Sequence, residues 1–183
     1  MDVIDSRPMF DESYAKMRYT QYIRLVNDKL KKHQKPHDRR YKQGFFIPKR
    51  PIKCINIMET NEPQPIVYRS DWERQFCEWA DSTTAITRWG SEIIKILYPN
   101  PLKNRMSFYE PDFYIEYIDN NKKLRKKLIE IKPLKEATLS EASNGYDRLM
   151  VAKNAMKWKA AIEYCKKRGI EFQVMHERNL GLI

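Results

Sequence analysis

Pro111-Asp112-Phe113-Tyr114-Ile115-Glu116-Tyr117-Ile118, followed by Asp119-Asn120-Asn121 and then by Leu128-Ile129-Glu130-Ile131-Lys132-Pro133, is the stretch that decides how this chain folds. Asp112 to Ile118 alternates aromatic and branched residues, which predicts a strand. Asp119-Asn120-Asn121 is a turn signal, and Leu128 to Lys132 is a second short strand stopped at Pro133, so the two form an antiparallel hairpin. Its loop continues through the basic run Lys122-Lys123-Leu124-Arg125-Lys126-Lys127. Glu130 and Lys132 are two apart, so their side chains leave the same face of the strand, while Ile129 and Ile131 point the other way into a core. The hairpin folds Asp112 toward that strand, bringing two carboxylates and an ammonium to one side of the sheet if the register allows. The register itself is not readable from the residues.

Such a set suits hydrolysis of a phosphodiester. Neighbouring carboxylates repel each other unless a cation lies between them. Hard oxygen donors select Mg²⁺ or Mn²⁺, which polarises a phosphate and supports its developing charge. Lys132 would orient or activate the attacking water, or bind the phosphate.

Outward from the hairpin the pattern is α/β. On its N-terminal side, Ser70-Asp71-Trp72-Glu73 reads as a capping box. Trp72, Phe76, Trp79 and Ala80 continue it at helical spacing, predicting a helix from about Asp71 to Asp81. Glu73 lies at the edge of that apolar stripe. It is either a third acid facing the sheet, reaching a metal directly or through water, or a capping residue with no catalytic role. Ile86 to Leu97, interrupted at Gly90, reads as a strand. On the C-terminal side, Val151, Ala155, Trp158, Ile162 and Cys165 give one apolar helix face, with Gly169 as its stop. Ile170 to Met175 is a last strand. Helix, three-stranded meander, helix and strand make an α/β domain with a mixed sheet, expected over residues 51–183.

Residues 1–50 differ in texture and are expected to form a basic N-terminal helix and arm. Tyr14 to Leu30 has an apolar stripe (Tyr19, Tyr22, Ile23, Val26, Leu30), and a basic run including Arg39 and Arg40 follows it, a segment suited either to lie along phosphates or simply to be solvated. The 183-residue chain has a net charge of +11, as expected of a partner for a polyanion. There is no run of about 18 apolar residues, so no membrane span is expected. Met1-Asp2-Val3-Ile4-Asp5 lacks the basic and apolar regions of a secretory signal. Cys54, Cys77 and Cys165 are too scattered for a disulfide framework and fit a reducing compartment. His33 and His37 have ligand-like spacing but no accompanying CxxC pair, and read as solvated histidines rather than a zinc site.

The ordered set Glu73, Pro111-Asp112, Glu130-Ile131-Lys132 resembles the PD-(D/E)XK nuclease superfamily. More closely, residues 44–172 resemble the head completion nucleases of contractile-tailed bacteriophages. The likeness rests on Gly44-Phe45-Phe46-Ile47-Pro48-Lys49, Tyr68-Arg69-Ser70-Asp71-Trp72-Glu73, Trp89-Gly90-Ser91-Glu92, Glu130-Ile131-Lys132-Pro133, and Lys157-Trp158-Lys159-Ala160-Ala161 leading to Arg168-Gly169-Ile170-Glu171-Phe172. The resemblance implies a restriction-endonuclease-like core and a Mg²⁺- or Mn²⁺-dependent deoxyribonuclease. Asp112 and Glu130 would bind the metal, Glu73 would be the helix acid and Lys132 the family lysine, with Glu92 a further candidate. It also implies action on packaged DNA late in virion assembly, in the virion or the assembling head in the host cytoplasm, alongside other head and neck proteins and no membrane. Lys122, Lys123, Arg125, Lys126, Arg39 and Arg40 are the candidate DNA contacts. The competing readings are an inactive DNA-binding component of the head or neck, and a transposon or repair endonuclease of the same superfamily.

Overall fold

The computed structural model describes residues 10–32 and 43–176. His33, His37, Arg39 and Arg40 lie outside the described residues. In chain order the elements are helix α1 (Glu12–Lys32), strand β1 (Gly44–Phe45), helix α2 (Ile55–Met58), β2 (Val67–Tyr68), α3 (Asp71–Ser82), β3 (Ile86–Ser91), β4 (Ile96–Asn100), β5 (Arg105–Tyr109), β6 (Phe113–Ile118), β7 (Leu124–Ile131), α4 (Leu134–Ala137), α5 (Gly145–Lys166) and β8 (Glu171–Met175). Strands β3, β6, β7 and β8 form a four-stranded sheet in that order; β1 pairs with β2, and β4 with β5. Strand β8 runs parallel to β7, pairing Glu130 with Val174 and Ile131 with Met175. The sheet is mixed, and the meander-helix-strand order is that of a restriction-endonuclease-like core.

The chain divides into two compact units, Met1–Ser91 with Ile115–Arg125, and Glu92–Tyr114 with Lys126–Ile183. In the first unit, α1 is the helix expected over Tyr14 to Leu30. Its Tyr22 and Val26 are buried, and Arg18 is buried with them. The Arg18 guanidinium donates to the carbonyls of Ile57, Thr60 and Asn61 at 2.7, 2.5 and 3.1 Å. It satisfies acceptors at the end of α2 that the short helix leaves open. Tyr22 donates to the Phe46 carbonyl and accepts from the Ile66 amide. A basic surface on α1 therefore coexists with an inner face that completes the unit's core. Helix α3 begins as expected, with Ser70 Oγ accepting the Glu73 amide at 3.2 Å.

The single strand expected over Ile86 to Leu97 is two strands in two sheets. The break falls at Glu92 rather than at Gly90, where a φ of 53° turns the chain into the left-handed region. In the second unit β4 then pairs antiparallel with β5, a strand the sequence did not announce, Tyr98 opposite Ser107 and Ile96 opposite Tyr109. Ile96, Tyr98 and Asn100 alternate inward. Strand β7 starts at Leu124, so Arg125 to Lys127 belong to a strand and not to a loop. Lys127 is held there by Gln173 at 2.9 Å and Glu171 at 3.4 Å on β8. The second half of β7 is covered on both faces: Leu128, Ile129, Glu130 and Ile131 are all buried.

Helix α5 begins at an Asn144 cap, whose side chain accepts the Asp147 amide at 2.9 Å, and ends before Gly169, with φ +64°. Its buried face is rotated from the expected one. Val151 and Cys165 are buried as predicted, but Asn154 and Ala161 are buried with them while Ala155 and Ile162 are exposed. Buried Asn154 donates to the Glu136 carbonyl at 3.1 Å, which ties α5 to α4.

Candidate active site

Within the second unit, the amide of Ile131 donates to Asp112 Oδ2 at 2.6 Å. Ile131 lies between Glu130 and Lys132, so this bond sets the register left open by the sequence: Asp112, just before β6, meets β7 at the Glu-x-Lys. Lys132 Nζ and Glu130 Oε1 are 3.0 Å apart, so the two side chains leave the same face as their spacing requires. The Lys132 amide donates to the Met175 carbonyl at 2.9 Å, continuing the β7–β8 ladder beyond Ile131. Asp112, Glu130 and Lys132 are brought together.

A residue that sequence reasoning missed completes the set. Tyr109, at the end of β5, is buried and its hydroxyl donates to Glu130 Oε2 at 2.8 Å. Glu130 is 1% exposed, and each of its oxygens has a partner: Lys132 on one, Tyr109 on the other. A buried carboxylate needs such donors. Burial pushes the Tyr109 hydroxyl well above the ordinary tyrosine value, and the Glu130 charge and hydrogen bond push it further, so the phenol stays protonated as a donor. Burial by itself would lower the pKa of Lys132. The charges of Asp112 and Glu130 outweigh it and raise the value above that of an ordinary lysine, so Lys132 is an ammonium.

Lys157 of α5 places its Nζ 5.0 Å from the centroid of the Tyr109 ring, in a cation–π contact. Burial lowers its pKa, with Glu130 acting against that and Lys132 with it. The signal in the sequence is positional. Lys157 lies three residues after buried Asn154 and four before buried Ala161, on the inner face of the helix. Nothing comparable marks Tyr109.

Glu73 is in the first unit, where its carboxylate serves its own helix start. Oε2 accepts the Arg69 amide at 2.7 Å and Oε1 accepts the Ser70 hydroxyl at 3.0 Å. Glu92, in the second unit, is bound through its backbone, the amide donating to the Asp112 carbonyl at 3.1 Å. Of the candidate DNA contacts, Lys122, Lys123 and Lys126 are exposed. Arg125 is tied to Asp119, its Nε 2.7 Å from Oδ2.

Asp112 and Glu130 are hard oxygen donors of the kind that suits a magnesium-type ion. A metal at Asp112 and Glu130 would take two carboxylates from the chain and its other oxygens from water and phosphate, which is how Mg²⁺ is usually held.

A mixed sheet that brings a Pro-Asp and a Glu-x-Lys together at one end is the arrangement of a restriction-endonuclease-like nuclease. The chain belongs to the TnsA-like endonuclease N-terminal family, whose model matches residues 83–177. That span contains Tyr109, Asp112, Glu130, Lys132 and Lys157, and it excludes Glu73. The chain is also similar to the head completion nuclease of Enterobacteria phage T4, with 34% identity over 75% of this chain and 92% of that protein. No solved structure matches the chain. No helix among the described residues is long and apolar enough to cross a membrane.

Proposed function

We propose that this nuclease is a Mg²⁺- or Mn²⁺-dependent DNA endonuclease that acts in completing the phage head after packaging, among other head and neck proteins. The observation that carries the catalytic reading is the Ile131–Asp112 bond of 2.6 Å beside the Glu130–Lys132 pair at 3.0 Å. Together they preset two oxygen ligands and a cation. Asp112 and Glu130 would hold the metal, which supplies Lewis-acid polarisation of the phosphate. Ile131, through its amide, keeps Asp112 aimed, and Tyr109 and Lys132 keep Glu130 from turning away. Lys132 would orient or activate the attacking water, or bind the phosphate. The capping contacts of Glu73 favour the structural role for it. Lys122, Lys123 and Lys126 would contact phosphates through their exposed ammonium groups.

The head-completion reading is supported by the T4 nuclease, which matches over most of its own length, whereas the family match is confined to the catalytic core. The catalytic reading is tested by incubating supercoiled and linear plasmid with the wild-type chain in Mg²⁺, Mn²⁺ or EDTA. Cutting in either metal and none in EDTA is expected, and cutting in EDTA would remove the metal. The assembly role is tested by particles built with Asp112→Asn in place of the wild type. Filled but uncompleted heads are expected, and normal completion would overturn that role while leaving the nuclease intact.

A further inference from the structure

We propose that Lys157 is a phosphate-binding residue of this active site, a second cation that takes a DNA phosphate next to Glu130. The inference rests on the nuclease reading and extends it to a residue outside the Pro-Asp and Glu-x-Lys positions.

Three observations lead to it. Lys157 is half-buried, so its ammonium has lost part of its water. Among the described residues it forms no hydrogen bond or ion pair, and its one polar contact is the face of the Tyr109 ring. A partly desolvated cation that touches no carboxylate is costly, even in the field of Glu130 and Asp112, and such a charge is retained where a ligand completes it. Finally, Tyr109 connects it to the chemistry: the ring beneath Lys157 is the one whose hydroxyl holds Glu130 at 2.8 Å.

Charge balance then separates the two lysines. Lys132 is committed to Glu130, 3.0 Å away, and lies in the field of Asp112 as well. Its charge is already matched by the chain. Lys157 feels Glu130 and Asp112 but pairs with neither, and is the cation left for an incoming anion. The ring below fixes its height without neutralising it, because a cation–π contact leaves the N–H groups of the ammonium available to donate.

The ligand chemistry is therefore a phosphodiester, and the salt dependence of DNA binding reads the contact directly. Binding of a short duplex by the full chain would be measured in EDTA over a range of salt for the wild type, Lys157→Gln, Lys157→Arg and Lys159→Gln. Lys159 is exposed on the same helix. Each phosphate contact contributes about 0.9 to the slope of log affinity against log salt. Lys157→Gln should lose about that much, and Lys157→Arg should keep it. In Mg²⁺ at saturating DNA, Lys157→Gln should slow single-turnover cleavage on the order of a hundredfold, while Lys159→Gln leaves that rate unchanged. Lys157→Gln removes a desolvated charge, so its thermal midpoint should not fall below that of the wild type, which separates lost binding from lost folding. An unchanged slope in Lys157→Gln overturns the proposal whatever happens to the rate, since a slower rate alone would make Lys157 a support for Tyr109 and Glu130. Because the slope is read without cleavage, a wild type that binds but never cuts would refute the nuclease reading and still leave Lys157 decided by its slope.

Discussion

The amide of Ile131 and the carboxylate of Asp112 meet at 2.6 Å, and this one bond joins the start of β6 to β7 between the two charged residues of the Glu-x-Lys. In the proposed mechanism Asp112 thus has two separable duties, an acceptor for the backbone and a charged ligand. Asp112→Asn keeps an acceptor there and should leave stability nearly unchanged while abolishing cleavage. Asp112→Ala leaves the amide without its acceptor and should cost about 1–3 kcal/mol as well. Urea denaturation of both variants beside their cleavage rates checks the separation. Equal stability of the two would show that the Ile131 bond contributes nothing.

Tyr109→Phe removes only the hydroxyl on Glu130. A buried carboxylate that loses one donor is expected to cost about 1–3 kcal/mol, and the freed carboxylate should hold metal less well. The concentration of Mn²⁺ giving half-maximal cleavage should rise, with maximal rate falling less. A metal titration that superimposes on the wild type would deny Tyr109 any role in aiming Glu130.

Arg18 is a test of how far the N-terminal helix belongs to the fold. It is buried and donates to three carbonyls. Arg18→Met should destabilise the first unit by about 2–3 kcal/mol, whereas reversing the exposed charge of Lys16 should not. Deleting residues 1–43 is accordingly expected to lower stability, not DNA affinity alone, and a truncated chain that melts like the full one would contradict this.

The turn between β6 and β7 carries a pH signature. Asp119 is held below the ordinary carboxylate value of 3.8, first by the Arg125 side chain and then by the Lys123 amide. A carboxylate whose folded value is depressed stabilises the fold above its unfolded value, and that contribution disappears as pH falls through the lowered folded one. The stability gap between wild type and Asp119→Ala should therefore be present at neutral pH and shrink in strong acid. Denaturation midpoints at both pH values check it, and a gap that widens in acid would reverse the assignment.

What could be read from the residues alone followed spacing. Glu130 and Lys132 had to share a face because a strand alternates, and Ser70 to Glu73 had to start a helix because the cap is local chemistry. The misses share a cause, which is that tertiary partners do not show in one-dimensional patterns. On α5, Val151, Trp158 and Cys165 fit two stripes equally well, one through Ala155 and Ile162 and the other through Asn154 and Ala161. Hydropathy favours the first; the structure adopts the second because Asn154 finds the Glu136 carbonyl. Lys127 looked like loop because its partners Glu171 and Gln173 are more than forty residues away. Tyr109 gave no sign of its role, since a tyrosine that aims a carboxylate and one that fills a core are spelled alike. Arg18 gave no sign of its role either, its acceptors lying beyond its own helix.

The most direct measurement is cleavage of duplex DNA in Mg²⁺ by the wild type, Asp112→Asn and Lys132→Met, with DNA binding followed on the same samples. The wild type should cut, and both variants should bind DNA yet fail to cut. Cutting at the wild-type rate by either variant would show that the Asp112–Glu130–Lys132 cluster is not the catalytic site.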